Sequence, residues 1–215
     1  AQRYNHQKLM QAMQTAPPVA LRIGATKTIG NYILGPAIRR FLDAPDHQLQ
    51  FLVDNTAALL HRLEQGELDF VVLEGVFNKA RYDSFLLRNE PYIGICPPGH
   101  PLDGQTISPE ALLGQRLILR EEGSGTRDLL ERALAQCSYT VEAFSGTVCV
   151  SSFKVIRDLV CAGYGISFVY AAVAADLPAP GRFFCPPLTG SHELNAVWLK
   201  GTDAGALARA FVAGL

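Results

Sequence analysis

Neither sign of charge is in excess: 19 Lys and Arg stand against 20 Asp and Glu, a formal net charge of −1. Without a cationic surplus to neutralise phosphates, the chain by itself is a poor nucleic-acid binder. The spacings that build disulfide and metal sites are missing too. The five cysteines, Cys96, Cys137, Cys149, Cys161 and Cys185, are odd in number, widely spread and include no C-x-x-C pair. They are expected to be reduced, mostly buried thiols acting as small hydrophobes in a cytoplasmic protein, with no zinc site. His6, His47, His61, His100 and His192 show no H-x-x-x-H spacing, so no metal is expected. No apolar run reaches the ~20 residues that a bilayer needs. The uncharged stretch Leu159 to Ala175 comes nearest and is broken by Gly163 and Gly165, so it reads as a helix end, a turn and a buried strand. The N-terminus has no apolar segment of secretory type, and no membrane partner is expected.

What the chain does have is apolar material: 48% hydrophobic against 18% charged residues, enough to bury a core. Its 215 residues correspond to roughly 1.4 average domains, so one large unit or two small ones. Residues 1–16 are polar and helix-compatible, with Leu9, Met10 and Met13 on one face, and Pro17-Pro18 should end that helix. Val19, Leu21 and Ile23 alternate as a strand, and Ile33 to Leu42 follow at helical spacing, with Gly35-Pro36 placed to tighten or kink the helix. The unit repeats through a strand at Leu49 to Val53, a helix capped by Asn55-Thr56 and closed by Gly66, and a strand at Asp69 to Leu73. Two β-like runs, Ser84 to Arg88 and Tyr92 to Cys96, end at Pro97-Pro98-Gly99-His100-Pro101, where a domain boundary is expected.

A second cycle follows: a short helix from Ser108-Pro109, a strand Arg116 to Arg120, a Gly-rich loop and a helix from about Thr126 to Cys137. After β-prone residues within Thr140 to Cys149, Ser151-Ser152 begin another helix, Gly163-Tyr164-Gly165 turn into the strand Ile166 to Tyr170, and the chain closes with a strand Glu193 to Lys200 and an Ala-rich helix. Strands alternating with helices predict an α/β fold of two Rossmann-like lobes with an interdomain cleft. The expected division is a helical tail over 1–18, a first lobe over 19–97 and 190–215, and a second over 98–189. Ligands of parallel sheets lie beyond the carboxyl ends of the strands, which points to the cleft.

Four strand-to-helix loops concentrate hydroxyl, amide or glycine groups: Thr26-Lys27-Thr28, Asp54-Asn55-Thr56, Gly123-Ser124-Gly125-Thr126-Arg127 and Ser151-Ser152. Singly, each reads as an N-cap worth ~1 kcal/mol. Together, unsatisfied N–H groups and positive helix ends facing one cleft make a seat for a carboxylate or oxyanion, so a small anionic ligand is expected. The glycines allow close backbone approach, Ser124 and Thr126 offer hydroxyls, and Arg127 either reaches the ligand or pairs with a neighbouring carboxylate. There is no G-x-S-x-G elbow, Walker A sequence, G-x-G-x-x-G opening a βαβ unit or H-E-x-x-H. His100 follows the expected hinge and is a candidate for lining the cleft, although a lone His beside Pro is ordinarily a loop residue. No nucleophile can be matched with a base, and the chain is not expected to be an enzyme.

Five segments carry a family resemblance: Leu21-Arg-Ile-Gly-Ala-Thr-Lys-Thr-Ile-Gly-Asn-Tyr32, Leu63-Glu-Gln-Gly-Glu-Leu-Asp-Phe70, Pro98-Gly-His-Pro-Leu102, Gly123-Ser-Gly-Thr-Arg127 and Val160-Cys-Ala-Gly-Tyr-Gly-Ile-Ser167. In this order and spacing, over about residues 19–215, the chain resembles the effector-binding (regulatory) domain of LysR-type transcriptional regulators, which shares the bilobed fold of type 2 periplasmic binding proteins. The resemblance implies a ligand site between the lobes, with Thr28 as first contact and Thr26 and Lys27 beside it. Asn55 and Thr56 would join them from the first lobe, and Ser124, Gly125, Thr126, Ser151, Ser152 and Phe153 from the second. It further implies a homodimer through regulatory domains, a tetramer in the full-length protein, promoter DNA bound through an N-terminal helix-turn-helix absent from this chain, and RNA polymerase as a further candidate partner. No cofactor other than the effector is implied. Gly-Ser-Gly-Thr-Arg resembles the form of this loop in regulators of carbon-dioxide fixation and sulfur assimilation, so phosphorylated metabolites or sulfur oxyanions head the ligand classes, with aromatic carboxylates next. A transport-type solute-binding protein and a small enzyme on the same scaffold are the alternatives. A signal peptide in the uncut gene would mark the first of these, and turnover lost in Ser124→Ala or His100→Ala the second.

Overall fold

The computed structural model describes Arg3, Asn5, His6, Gln7, Leu9, Met10 and residues 19–215. Those of the first ten residues are helical, while the helix stop expected at Pro17-Pro18 lies outside the described residues. From Val19 the elements run β1 (Ala20–Ala25), α1 (Lys27–Tyr32), α2 (Gly35–Leu42), β2 (Gln48–Val53), α3 (Thr56–Glu64), β3 (Phe70–Glu74) and β4 (Tyr82–Cys96). They continue through a 3-10 turn (Pro109–Leu112), β5 (Arg116–Leu119), α4 (Gly125–Gln136), a second 3-10 turn (Val141–Ala143), β6 (Gly146–Cys149) and α5 (Phe153–Cys161). The last are β7 (Ser167–Tyr170), α6 (Ala171–Ala174), β8 (Gly181–Phe183), β9 (Gly190–Leu199) and α7 (Ala204–Val212).

Two compact units result, Ala1–Arg88 with Glu193–Leu215, and Asn89–His192. The chain therefore crosses between them twice, at Arg88–Asn89 inside β4 and at His192–Glu193 inside β9. These crossings differ from the boundaries expected at 97/98 and 189/190. The two β-like runs are one strand of 15 residues that passes through the exposed Pro91. The Pro97 to Pro101 cluster is a turn inside the second unit, closed by His100 N–H donating to the Pro97 carbonyl at 3.1 Å and Gly104 N–H to the Arg182 carbonyl at 2.7 Å.

In the first unit β1 lies parallel to β2 and β3, with Ile23 opposite Phe51 on one side and Phe70 on the other. β3 runs antiparallel to β9, with Val72 opposite Ala196. All five residues of β3 are buried, as expected of a strand covered on both faces. Leu59 and Leu63, one turn apart on α3, pack with Leu68, Val71, Leu73, Tyr82 and Val197. The approach is close enough that a Cβ on Gly24 would meet Leu59 Cδ2 at 2.6 Å, so any larger residue there would have to displace the Leu59 side chain. The helix expected over Ile33 to Leu42 begins at Gly35 and runs as one helix, and a short additional helix, α1, occupies the loop before it. Pro36 sits in the first turn of α2, where its missing N–H leaves no bond unmade. Leu34 N–H instead donates to the Ile29 carbonyl at 3.0 Å, closing α1.

In the second unit β5 and β6 are parallel, Leu117 bridges in parallel to Ile166 just before β7, and β4 runs antiparallel to β7 from Tyr92 opposite Tyr170 to Ile95 opposite Ser167. Leu130 and Leu134 of α4 and Ile156 and Val160 of α5 supply buried faces at helical spacing. Of the stretch expected to be β-prone within Thr140 to Cys149, the first part is a 3-10 turn and only Gly146–Cys149 pairs as strand.

The cysteines are all free, but they are less uniformly buried than expected: Cys96 and Cys185 are buried, Cys137 and Cys161 half-buried, and Cys149 exposed. Burial pushes the Cys96 and Cys185 thiols up to about 11, which leaves both inert near neutral pH.

The C-terminal end of α7 is held by Arg40, whose Nη2 donates to the carbonyl of Phe211 at 2.7 Å and of Ala210 at 3.4 Å, while Nη1 donates to that of Ala213. A cation at a helix C-terminus complements the dipole and satisfies carbonyls with no intrahelical partner. Arg40→Met, which keeps the aliphatic stem, is expected to lower unfolding free energy by about 1 to 3 kcal/mol in urea denaturation. No loss would mean that water serves those carbonyls equally well.

Candidate functional site

Parallel pairing brings the carboxyl ends of β1, β2 and β3 to one edge of the first unit. The residues after β1 and β2 are Thr26 to Thr28 and Asp54 to Thr56. Asn55 acts as an ordinary cap, its Oδ1 accepting from Ala58 N–H at 2.9 Å while its own N–H donates to Asp54 Oδ1 at 2.8 Å. The three threonines behave differently. Thr26 occupies the N-cap position of α1 yet makes no side-chain capping bond. Thr26 and Thr28 are 4% and 0% exposed, and the hydroxyl oxygens of Thr26, Thr28 and Thr56 are covered and make no hydrogen bond within the protein. A buried hydroxyl left unpaired costs about 1 to 3 kcal/mol, and most buried polar groups are paired, so three at one strand edge mark a place built for something other than the apo fold. The six-residue α1 is too short for a strong dipole, which puts the weight on hydroxyls. Lys27 is half-buried beside them, and Glu74, 4% exposed, closes the edge at the end of β3.

In the second unit β5, β6 and β7 end at a common edge, followed by Arg120, by Val150-Ser151-Ser152 and by α6. Ser124 and Ser152 are working caps, with Oγ accepting from Arg127 N–H at 3.5 Å and from Val155 N–H at 3.3 Å. Each keeps a hydroxyl proton that it can donate outward. Gly125 opens α4. Thr126, 2% exposed, lies in its first turn, and its carbonyl accepts from Tyr92 Oη at 3.3 Å. Ser151 is exposed, and Phe153, 3% exposed, begins α5. Arg127 takes the second of its two readings: Nε donates to Glu131 Oε1 at 3.0 Å and Nη1 to the Arg120 carbonyl at 3.1 Å.

His100 is not brought to this edge. β4 runs antiparallel to β7, so the turn after Cys96 lies at the opposite end of the strands, where His100 Nδ1 accepts from Leu102 N–H at 3.1 Å. The structure adds residues that sequence reading missed. Arg120, 7% exposed, sits at the end of β5 with its guanidinium carbon 4.6 Å from the centroid of the Phe153 ring. Tyr92, Tyr170 and His192 form a ring cluster, with centroids 5.5 Å apart for Tyr92–Tyr170, 5.5 Å for Tyr92–His192 and 6.2 Å for Tyr170–His192. Nothing in the local pattern distinguishes these strand residues from core. An arginine closing the apolar run Leu117 to Leu119 was the one available signal for Arg120.

Among the described residues no three His, Cys, Asp or Glu side chains are grouped to hold a metal ion, and no helix is long and apolar enough to cross a membrane. The arrangement in each unit is a set of hydrogen-bonding groups at the strand ends, suited to holding a ligand.

Burial lowers the pKa of His192 from its ordinary 6.5, so the native state favours the neutral ring. Below pH 6.5 the unfolded chain takes up this proton before the native one does, and stability falls with falling pH until the lowered native value is reached. His192→Phe keeps a ring and removes the titration. Thermal melts at about pH 7.5 and about pH 5.5 are expected to show a smaller acid-side loss for the variant than for the parent, and equal losses would mean that His192 is not the group responsible.

A family model described as LysR substrate binding domain matches residues 17–215. Among curated relatives, the HTH-type transcriptional regulator CbbR of Sinorhizobium medicae is 31% identical over 153 residues, 70% of this chain and 48% of that protein. The HTH-type transcriptional regulator CysL of Bacillus subtilis is 28% identical over 155 residues, 71% of this chain and 51% of that protein. The chain thus spans about half the length of these relatives. Of solved structures, the CcmR regulatory domain of Synechocystis in complex with 2-PG aligns with a TM-score of 0.79 at 19% identity, covering 90% of this chain and 93% of that one. The cofactor-binding domain of the Cbl transcriptional regulator aligns with a TM-score of 0.78 at 20% identity, covering 94% and 91%. At these identities the structural likeness speaks for the type 2 periplasmic-binding-protein-like α/β fold. The family and the curated relatives are transcriptional regulators, not enzymes.

Proposed function

The chain belongs to the LysR substrate-binding-domain family, and from that membership we propose that it is the effector-sensing domain of a cytoplasmic LysR-type transcriptional regulator, binding a small anionic metabolite at the strand-end loops of its two units. The observation that carries this reading is the set of covered, unpartnered hydroxyls of Thr26, Thr28 and Thr56. A ligand oxygen supplied to each converts a standing desolvation penalty into a hydrogen bond, and a charged acceptor strengthens that bond. Lys27 and Asn55 flank them, and Ser124, Gly125, Thr126, Ser151, Ser152 and Phe153 are the candidate groups of the second unit, considered by itself.

The ligand classes in view are phosphorylated metabolites, sulfur oxyanions and carboxylates, in keeping with the 2-PG held by the Synechocystis domain. In the full-length regulator a helix-turn-helix head would hold promoter DNA, and the regulatory domains would pair as homodimers within a tetramer. Ligand binding would act by favouring one arrangement of that assembly over another, with RNA polymerase the downstream partner. The regulator containing this domain is expected to show effector-dependent footprints on its promoter. A gene whose full product lacks a helix-turn-helix segment overturns this part of the reading.

Thr28→Val separates a ligand contact from a structural group, because it removes an unpaired buried hydroxyl at constant shape. The apo domain is expected to keep or slightly gain stability, while calorimetry with the small anion selected in a thermal-shift screen shows affinity lost by about 1 to 3 kcal/mol. Unchanged affinity rejects the contact. Ser124→Ala is expected to weaken binding as well, but also to destabilise the domain by ~1 kcal/mol, because its oxygen caps α4.

A further inference from the structure

We infer that Arg120 recognises an oxyanion of the ligand and that Glu121 is a built-in counter-ion which the ligand must displace; this rests on the effector-domain reading above. Arg120 stands directly after β5, at the edge where α4 and α5 begin, and is 7% exposed. Its Nε donates to Glu121 Oε1 at 2.6 Å and its Nη2 to Oε2 at 3.4 Å. This two-point fork is the geometry in which a guanidinium holds carboxylate, phosphate or sulfur oxyanions generally.

The position argues against a purely structural role. An arginine that stabilises a helix belongs at its C-terminus, as Arg40 does on α7. Arg120 instead sits over Phe153, the first residue of the nine-residue α5, and near the start of the twelve-residue α4, where partial positive charge repels it. Arg127 adds a second guanidinium whose side chain is 13% exposed; it fixes the Arg120 carbonyl and is itself matched by Glu131. A buried cation in such surroundings is tolerated only with an anion upon it.

Glu121 supplies that anion in a removable form. Its side chain is 38% exposed, and as the adjacent residue it can leave the guanidinium by side-chain rotation, with no backbone movement. The apparent affinity for a ligand is then its intrinsic affinity multiplied by the fraction of molecules in which Glu121 has let go. The ligand class narrows accordingly. The group that meets Arg120 carries at least two oxygens sharing negative charge, because a hydroxyl or carbonyl alone cannot compete with a carboxylate.

The test follows the Arg120 Nε–H resonance in ¹⁵N-labelled protein during titration with inorganic phosphate and, separately, sulfate, with calorimetry on Glu121→Gln, Glu122→Gln, Arg120→Lys, Arg120→Gln and Thr28→Val. The Arg120 resonance is expected to shift with anion. Glu121→Gln should bind phosphate about three- to tenfold more tightly, Arg120→Gln at least about tenfold more weakly, and Arg120→Lys between. Glu122→Gln, which removes the same charge from a side chain 89% exposed, should change little. A gain in Glu122→Gln equal to that in Glu121→Gln means a general field effect and overturns the inference, as does a silent Arg120 resonance. If Thr28→Val weakens phosphate binding while the Arg120 and Glu121 variants leave it unchanged, this inference falls and the effector-domain reading stands. If neither the parent nor Glu121→Gln binds either anion, this inference falls, and the effector-domain reading is decided by the carboxylates of the thermal-shift screen. Glu121→Gln alters a half-buried side chain at nearly constant shape and decides the matter even where Arg120→Gln fails to fold.

Discussion

Strands that pair in parallel must all end at the same edge, and the placement of every candidate ligand group in this chain depends on that geometry. β1, β2 and β3 deliver three loops to one edge of the first unit, and β5, β6 and β7 deliver three to one edge of the second. The groups brought together are separated by tens of residues in sequence, so no short motif could hold them. Antiparallel β4 shows the converse: the same sheet carries His100 to the other end.

At those edges the polar groups divide by whether the fold already uses them. Asn55, Ser124 and Ser152 accept from backbone N–H groups and stabilise the helices they begin. Thr26, Thr28 and Thr56 make no such bond. Caps add to stability and unpaired hydroxyls subtract from it, so the second group is the better sign of a ligand even though all six residues look alike in sequence. The two units also differ in character. The first offers neutral hydroxyls beside a buried Glu74, whereas the second gathers Arg120 and Arg127 with their glutamate partners.

Two strand crossings, inside β4 and β9, are the covalent route between the units. A ligand shifts any equilibrium between arrangements only by the difference in its affinity for them. The groups whose pairing changes on binding, such as Arg120 releasing Glu121, are therefore where the signal would originate.

Periodicity and composition determined much of this protein in advance. The α/β alternation, strands close to Ala20–Ala25 and Phe70–Glu74 and the start of α4 at the Gly-Ser-Gly-Thr loop follow from local patterns that a neighbouring turn or apolar face enforces, while the family followed from the resemblance of five segments. The short α1 ahead of Pro36 and the single long β4 were less legible, because a proline in the first turn lets one helix start directly after another and an exposed proline can ride in a strand. Tertiary structure alone decided which hydroxyls are left unpaired, that Arg127 is tied to Glu131, that Arg120 lies over Phe153, and that the rings of Tyr92, Tyr170 and His192 gather. The reason is physical: a sequence window records which groups a residue owns, whereas burial and hydrogen bonding depend on partners that only the packed sheet brings within 3 to 6 Å.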